Sequence, residues 1–210
     1  MKTKFISRPN FVKQSLFETK IGIVVACDLN NQELNKFITT TMKFLNTESA
    51  NYNIFIINEN HLNYNKNKLY NIGYHLAKND NCDFVIFHNE NILPNENMLG
   101  YYITYPKDPL ILDYEVSKKS CNILSISLMD FEQCGGFDMS EKNSKSFLKQ
   151  INDNNMTIHI PTTGSFSLIE NNTNSKKINF IKNNSNLNDL NYTILEHQIL
   201  NDNTSYYYVK

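Results

Sequence analysis

The chain has 210 residues, 20 Lys+Arg against 21 Asp+Glu, and a formal net charge of −1. That balance argues against a protein that coats nucleic acid, which needs a basic field. With 40% hydrophobic residues and a mean hydropathy of −0.46, the composition is that of a soluble globular chain rather than a disordered tail or a membrane span.

The length suits one well-buried core. About one residue in six is asparagine, Arg8 is the only arginine and tryptophan is absent. Lys, Asn, Ile and Tyr share AT-rich codons, so single asparagines carry little weight as functional signals. Cys27, Cys82, Cys121 and Cys134 form no Cys-x-x-Cys pair, which argues against a zinc knot. The first twenty residues lack the continuous apolar stretch of a signal peptide or anchor. A cytoplasmic, reducing location with four thiols is therefore expected.

Residues 1–20 read as a polar lead-in with Phe5, Phe11 and Phe17 as scattered anchors, followed by a single domain over 21–210. The β-branched run Ile21–Cys27 predicts a strand buried on both faces, as in a parallel sheet. Leu34, Phe37, Ile38, Met42 and Leu45 then fall at helical spacing within 32–46. Asn53–Asn58 predicts a second strand, residues 66–79 a second helix with Leu69, Ile72, Leu76 and Ala77 on one face, and Asp83–His88 a third strand. This β-α-β-α-β order implies parallel neighbours joined by right-handed crossovers. Ligands of such sheets bind beyond the carboxyl ends of the strands.

The second half is more mixed. Strands are predicted at Leu110–Leu112, Asn122–Ile126 and Met156–Pro161, a Gly135-Gly136 turn, and a helix over 143–153. Phe166–Glu170 reads as a short strand or turn, and 171–188 as a long polar loop. Tyr192–Glu196 and Tyr206–Val209 close the chain as an antiparallel pair.

His88-Asn89-Glu90-Asn91 ends the third strand, where alternation sets Asn89 and Asn91 on one side and Glu90 on the other. Two aspartates at that spacing would hold a divalent cation against a diphosphate; asparagine offers only a neutral carbonyl oxygen. The five histidines lack metal-binding spacing and read as structural or exposed. No glycine-rich phosphate loop occurs.

Tyr64–Gly73 followed by Asp83–Pro94 resembles the β-1,4-galactosyltransferases, glycosyltransferase family 7. Their pattern runs roughly Phe-Asn-Arg-Ala-Lys-Leu-Leu-Asn-Val-Gly, a helix, then Phe-His-Asp-Val-Asp-Leu-Leu-Pro. The similarity continues collinearly through Ile126–Phe137, Ile160-Pro161 and Asn186–Tyr192, so it covers about residues 20–210. It implies an α/β fold of the GT-A type, a mixed, mainly parallel sheet flanked by helices. It also implies a nucleotide sugar or glycan as ligand, and Mn2+ as cofactor if the chain is an active transferase.

The departures from the family pattern bear on activity. The uridine segment corresponds to Ala26–Asn30 and loses both of its cations. Asn89-Glu90-Asn91 replaces the metal-binding Asp-Val-Asp. The later Met and His ligands fall on Leu168 and Asn171. The tryptophan- and glycine-rich acidic loop that holds the acceptor and supplies the base is absent, with Asn143–Ser146 in its place. The resemblance thus leaves Asp28, Asn30, Tyr64, Lys66, Asn89 and Asn91 as nucleotide-sugar contacts. Asn91, Leu168 and Asn171 are degenerate metal positions, so no metal is expected. Glu90, Asp138 and Glu141 are candidate bases, and Lys66 or Lys145 could meet phosphate. Metal-dependent galactosyl transfer needs the lost groups. The chain therefore reads as a binding or structural module of this family, with a divergent, metal-independent transferase as the alternative.

Overall fold

A computed structural model describes residues 2–9, 19–27, 31–59, 65–115, 120–141, 145–169 and 187–210. Its elements in chain order are β1 (Lys2–Ile6), β2 (Lys20–Ala26), α1 (Asn31–Asn46), β3 (Asn51–Glu59), α2 (Lys66–Asn79), β4 (Phe84–His88), β5 (Ile92–Pro94), α3 (Leu99–Ile103), β6 (Leu110–Glu115), β7 (Ser120–Ser127), α4 (Leu128–Gln133), α5 (Lys145–Asp153), β8 (Thr157–Pro161), β9 (Phe166–Leu168), β10 (Ile194–Asn201) and β11 (Thr204–Val209).

The main sheet has the order β1-β8-β6-β7-β4-β2-β3-β11-β10. The predicted parallel core is present: β2 lies between β4 and β3, parallel to both, with Ile23 beside Ile54 and Ile86. β7 runs antiparallel to β4 and β6, whereas β8 runs parallel to β1 and β6. The closing hairpin β10–β11 joins through β11, parallel to β3.

Burial explains why the central strands were legible. Ile23, Val24, Val25 and Ala26 of β2 are all fully buried. Val24 and Ala26 face α2 and the aromatic group Tyr70, Tyr74, Phe87, Phe131, Phe137 and Phe147. Ile23 and Val25 face α1 and α3 through Phe37, Leu45, Tyr101 and Tyr102. Helix α2 approaches β2 closely because Gly22 and Gly73 have no side chains; a Cβ on Gly22 would lie 2.9 Å from that of Ala77.

The lead-in holds an unpredicted element. Residues 2–6 form an edge strand whose Ile6 is buried, while the expected anchor Phe5 is exposed. With two lysines and one buried residue, β1 carries almost no periodic signal. Phe11, Phe17 and most of the 171–188 loop lie outside the described residues. All four cysteines are thiols, as expected; burial pushes Cys82 up to about 12 and Cys134 up to about 11. Among the described residues, no helix is long and apolar enough to cross a membrane.

Candidate functional site

The carboxyl ends of β2, β3 and β4 meet the amino-terminal turn of α2. Asn65 caps that helix, its side-chain oxygen accepting from the Lys68 amide at 3.1 Å. Two cations follow. Lys66 Nζ lies 3.4 Å from Glu90 Oε2 and 5.5 Å above the Tyr70 ring. Lys68 Nζ lies 2.5 Å from Glu59 Oε1 at the end of β3. Both carboxylates are mostly buried, so the two pairs fasten α2 to the sheet rim. Lys66 and Glu90, singled out separately in the sequence, are brought together here. Glu59 and Lys68 were not singled out, although Lys68 stands inside the family-like string two residues after Lys66.

Residues 89–91 form a turn rather than continuing the strand, so simple alternation does not govern them. The Asn89 side-chain oxygen accepts from the Asn91 amide at 3.0 Å, and the Ile92 amide donates to the Asn89 carbonyl at 3.2 Å. An Asx-type turn of this kind uses the asparagine locally. Strand β5 then pairs antiparallel with β9, with Ile92 opposite Leu168. The Ile169 amide donates to the Asn91 carbonyl at 2.8 Å. Two of the three degenerate metal positions, Asn91 and Leu168, are therefore neighbours. Among the described residues, Asn89, Asn91 and Leu168 do not fit a divalent cation. Asn89 spends its amide oxygen on the turn, Asn91 is uncharged, and Leu168 has no donor atom and is 74% exposed. Asn171, Asp28, Asn30 and Tyr64 lie outside the described residues.

Asp138 and Glu141 belong to a loop tied to α2 by three buried asparagines. Asn65 Nδ2 donates to the Met139 carbonyl at 2.9 Å. Asn67 Nδ2 donates to the carbonyls of Asp138 and Glu141 at 2.7 and 3.0 Å. Asn71 donates to the Phe137 carbonyl and accepts from its amide, both at 2.9 Å. Asp138 caps its own turn by accepting from the Ser140 amide at 2.8 Å. Discounting single asparagines because the chain is rich in them hid this clamp. Lys145 begins α5, and Asn143 and Ser144 lie outside the described residues.

His88 is structural, as its spacing suggested. Nδ1 lies 2.8 Å from the Asn89 carbonyl and Nε2 2.7 Å from the Tyr102 hydroxyl. A neutral ring donating from Nδ1 and accepting at Nε2 satisfies both contacts. Burial holds its pKa down at about 4, against a weaker upward pull from the Asn89 carbonyl; Lys66 lowers it further. The unfolded chain protonates His88 near pH 6.5, before the folded one does. Stability is thus expected to fall from pH 6.5 to about 4, by roughly 3 kcal/mol from this residue. Urea denaturation at neutral and mildly acidic pH checks this. His88→Gln, which keeps a donor and an acceptor, should flatten the difference; an unchanged slope would exclude His88 as its source.

A groove of about 310 Å³, lined by Asn53, Asp80 and residues of the β10–β11 turn, lies at the opposite end of α2 and away from this rim. Among the described residues, no three His, Cys, Asp or Glu side chains cluster to hold a metal.

The architecture is a mainly parallel sheet with the candidate site at the carboxyl ends of β2–β4. Residues 10–104 match the family model for the N-terminal region of glycosyl transferase group 7. The xylosylprotein 4-β-galactosyltransferase of Caenorhabditis elegans is 28% identical over 133 residues, which are 59% of this chain and 45% of that protein. The chain thus aligns with less than half of that curated relative. The catalytic domain of Drosophila β-1,4-galactosyltransferase 7, solved with xylobiose, superposes with a TM-score of 0.74 at 21% identity, covering 91% of this chain and 93% of that one. An aspartate-to-asparagine variant of the same enzyme, solved with manganese, UDP-Gal and xylobiose, gives 0.74 at 22% identity with the same coverage. The chain has the GT-A-type fold of these β-1,4-galactosyltransferases, and its first half resembles the N-terminal region of glycosyl transferase group 7.

Proposed function

We propose that this chain is a nucleotide-sugar- or glycan-binding module of the family that has lost metal-dependent galactosyl transfer. The observation that carries the reading is the composition of the turn between β4 and β5 and of its neighbour β9. Asn89, Asn91 and Leu168 stand together there, and none brings a negative charge. Replacing two carboxylates by amides removes most of the Coulomb attraction for a divalent ion. The relative solved with manganese and UDP-Gal makes a UDP-sugar the first ligand to test.

A second reading rests on the Lys66–Glu90 pair. A cation at the helix amino terminus could meet a departing diphosphate without metal, and Glu90 could then accept a proton. In that reading the chain is a divergent, metal-independent glycosyltransferase, with Asp138 or Glu141 as other candidate bases.

Manganese at millimolar concentration is expected to stabilise the protein by about 0.1 kcal/mol or less, since stabilisation follows RT ln(1 + [L]/Kd) and Kd should lie well above that concentration. The double change Asn89→Asp with Asn91→Asp should raise manganese affinity at least about tenfold. It should restore no galactosyl transfer, because the acidic base loop is also missing. Thermal melts and a galactose-transfer assay measure both. Tight manganese binding by the unmodified chain would sink the reading.

A further inference from the structure

The two edges of the nine-stranded sheet differ in chemistry. β1 places Lys2 and Lys4 on its exposed edge, and charges of this kind discourage pairing with another chain. β10 is exposed from Ile194 to Leu200 and carries four large apolar residues there. Ile194, Leu195, Ile199 and Leu200 are 41%, 54%, 74% and 42% exposed. β11 pairs with one side of β10; among the described residues no strand pairs with the other. An apolar edge strand of this kind is a template for strand addition.

The order of residues along β10 indicates what would cover it. The run Ile194-Leu195-Glu196-His197-Gln198-Ile199-Leu200 is palindromic by residue class about His197. A two-fold axis through an antiparallel pair requires such self-complementarity, because each residue meets the mirror position of the same sequence. With His197 on the axis, Glu196 faces the partner's Gln198, Leu195 faces the partner's Ile199, and Ile194 faces the partner's Leu200. Every apolar residue then meets an apolar one, and the single carboxylate meets an amide rather than a second carboxylate. The His197 ring lies flat on Tyr207, with centroids 4.4 Å apart and planes 5° from parallel, so β11 supports the centre of the run. Register irregularities at Leu195 and Leu200 leave Glu196–Ile199 as the regular stretch and confine backbone pairing between copies to it.

We propose that β10 is a homodimer interface, in which two copies pair their β10 strands antiparallel about His197 and join their sheets. The competing arrangement, β10 of one copy on β1 of the next, also matches charge, Glu196 against Lys2 and Lys4. That contact is heterologous and would build rings or open polymers rather than a two-fold dimer.

Sedimentation velocity from micromolar to tenths-of-millimolar protein tests this. The wild-type chain should sediment at twice its 24.5 kDa mass at the upper concentrations. Ile199→Lys and, independently, Leu195→Lys should give the monomer mass throughout, with an unchanged circular dichroism spectrum showing that each variant folds. Phe5→Lys, on the opposite edge, should leave the dimer intact. A wild-type monomer at every concentration would overturn the proposal. So would a dimer indifferent to both β10 variants, or an open-ended polymer that Phe5→Lys abolishes.

Discussion

Gly73→Ala is expected to destabilise the domain by about 2 kcal/mol or more, although alanine is the better helix former by about 1 kcal/mol. A Cβ at that position would sit 2.1 Å from Cγ1 of Val24, and 3.3 Å from its Cβ and Cγ2. Val24 is fully buried in the central strand β2, so neither side can retreat without moving the sheet or the helix. For a domain of this size the loss corresponds to a fall in Tm of roughly 4–8 °C. Val24→Ala removes the clashing methyl, and in that background Gly73→Ala should cost little. Thermal or urea denaturation of the four proteins in this double-mutant cycle measures the coupling. Strictly additive effects would mean that the contact does not set the helix–sheet distance.

Asn71→Ala should cost about 3 kcal/mol. Asn71 is fully buried and holds both the amide and the carbonyl of Phe137, so its loss strands two backbone groups away from water. The Phe137 amide should also lose protection in hydrogen exchange. The effect should reach the candidate bases, because Asp138 and Glu141 hang from the same loop through Asn67. A loss below about 1 kcal/mol, within the range of one ordinary hydrogen bond, would show that the loop is held by other contacts.

The central strands were legible because burial on both faces leaves a continuous β-branched run, which β2, β3 and β4 display. The edges were harder. β1 buries only Ile6, and its place beside β8 depends on a partner about 155 residues away in sequence. At the site, Asn89, Glu90 and Asn91 were legible from their place at the end of a buried strand and Lys66 from the family-like string, and the fold brings Lys66 and Glu90 together. Asn65, Asn67 and Asn71 were hidden by the abundance of their own residue type. Their role follows from the path of the 137–141 loop over α2, which no local pattern encodes. The Glu59–Lys68 pair was missed for a similar reason: its ends come from β3 and α2, and only the packing of that helix on the sheet joins them.

The amides at positions 89 and 91 also bear on how any ligand would bind. In a site whose cation is a lysine, affinity for an anionic ligand does not depend on added metal, but it falls as salt screens the charge. Lys66 already has a carboxylate partner in Glu90, so an incoming phosphate would compete with that side chain. Likeness to the family therefore does not by itself carry transfer chemistry to this chain; the groups at the turn decide it.

Calorimetric titration with UDP-galactose, with and without manganese, together with an assay for galactose transfer, tests the proposed loss of metal-dependent catalysis most directly. The account predicts the same affinity in both titrations, within the error of the fit, and no transfer to a sugar acceptor. Manganese-dependent tightening of tenfold or more, equivalent to about 1.4 kcal/mol, accompanied by turnover, would contradict it.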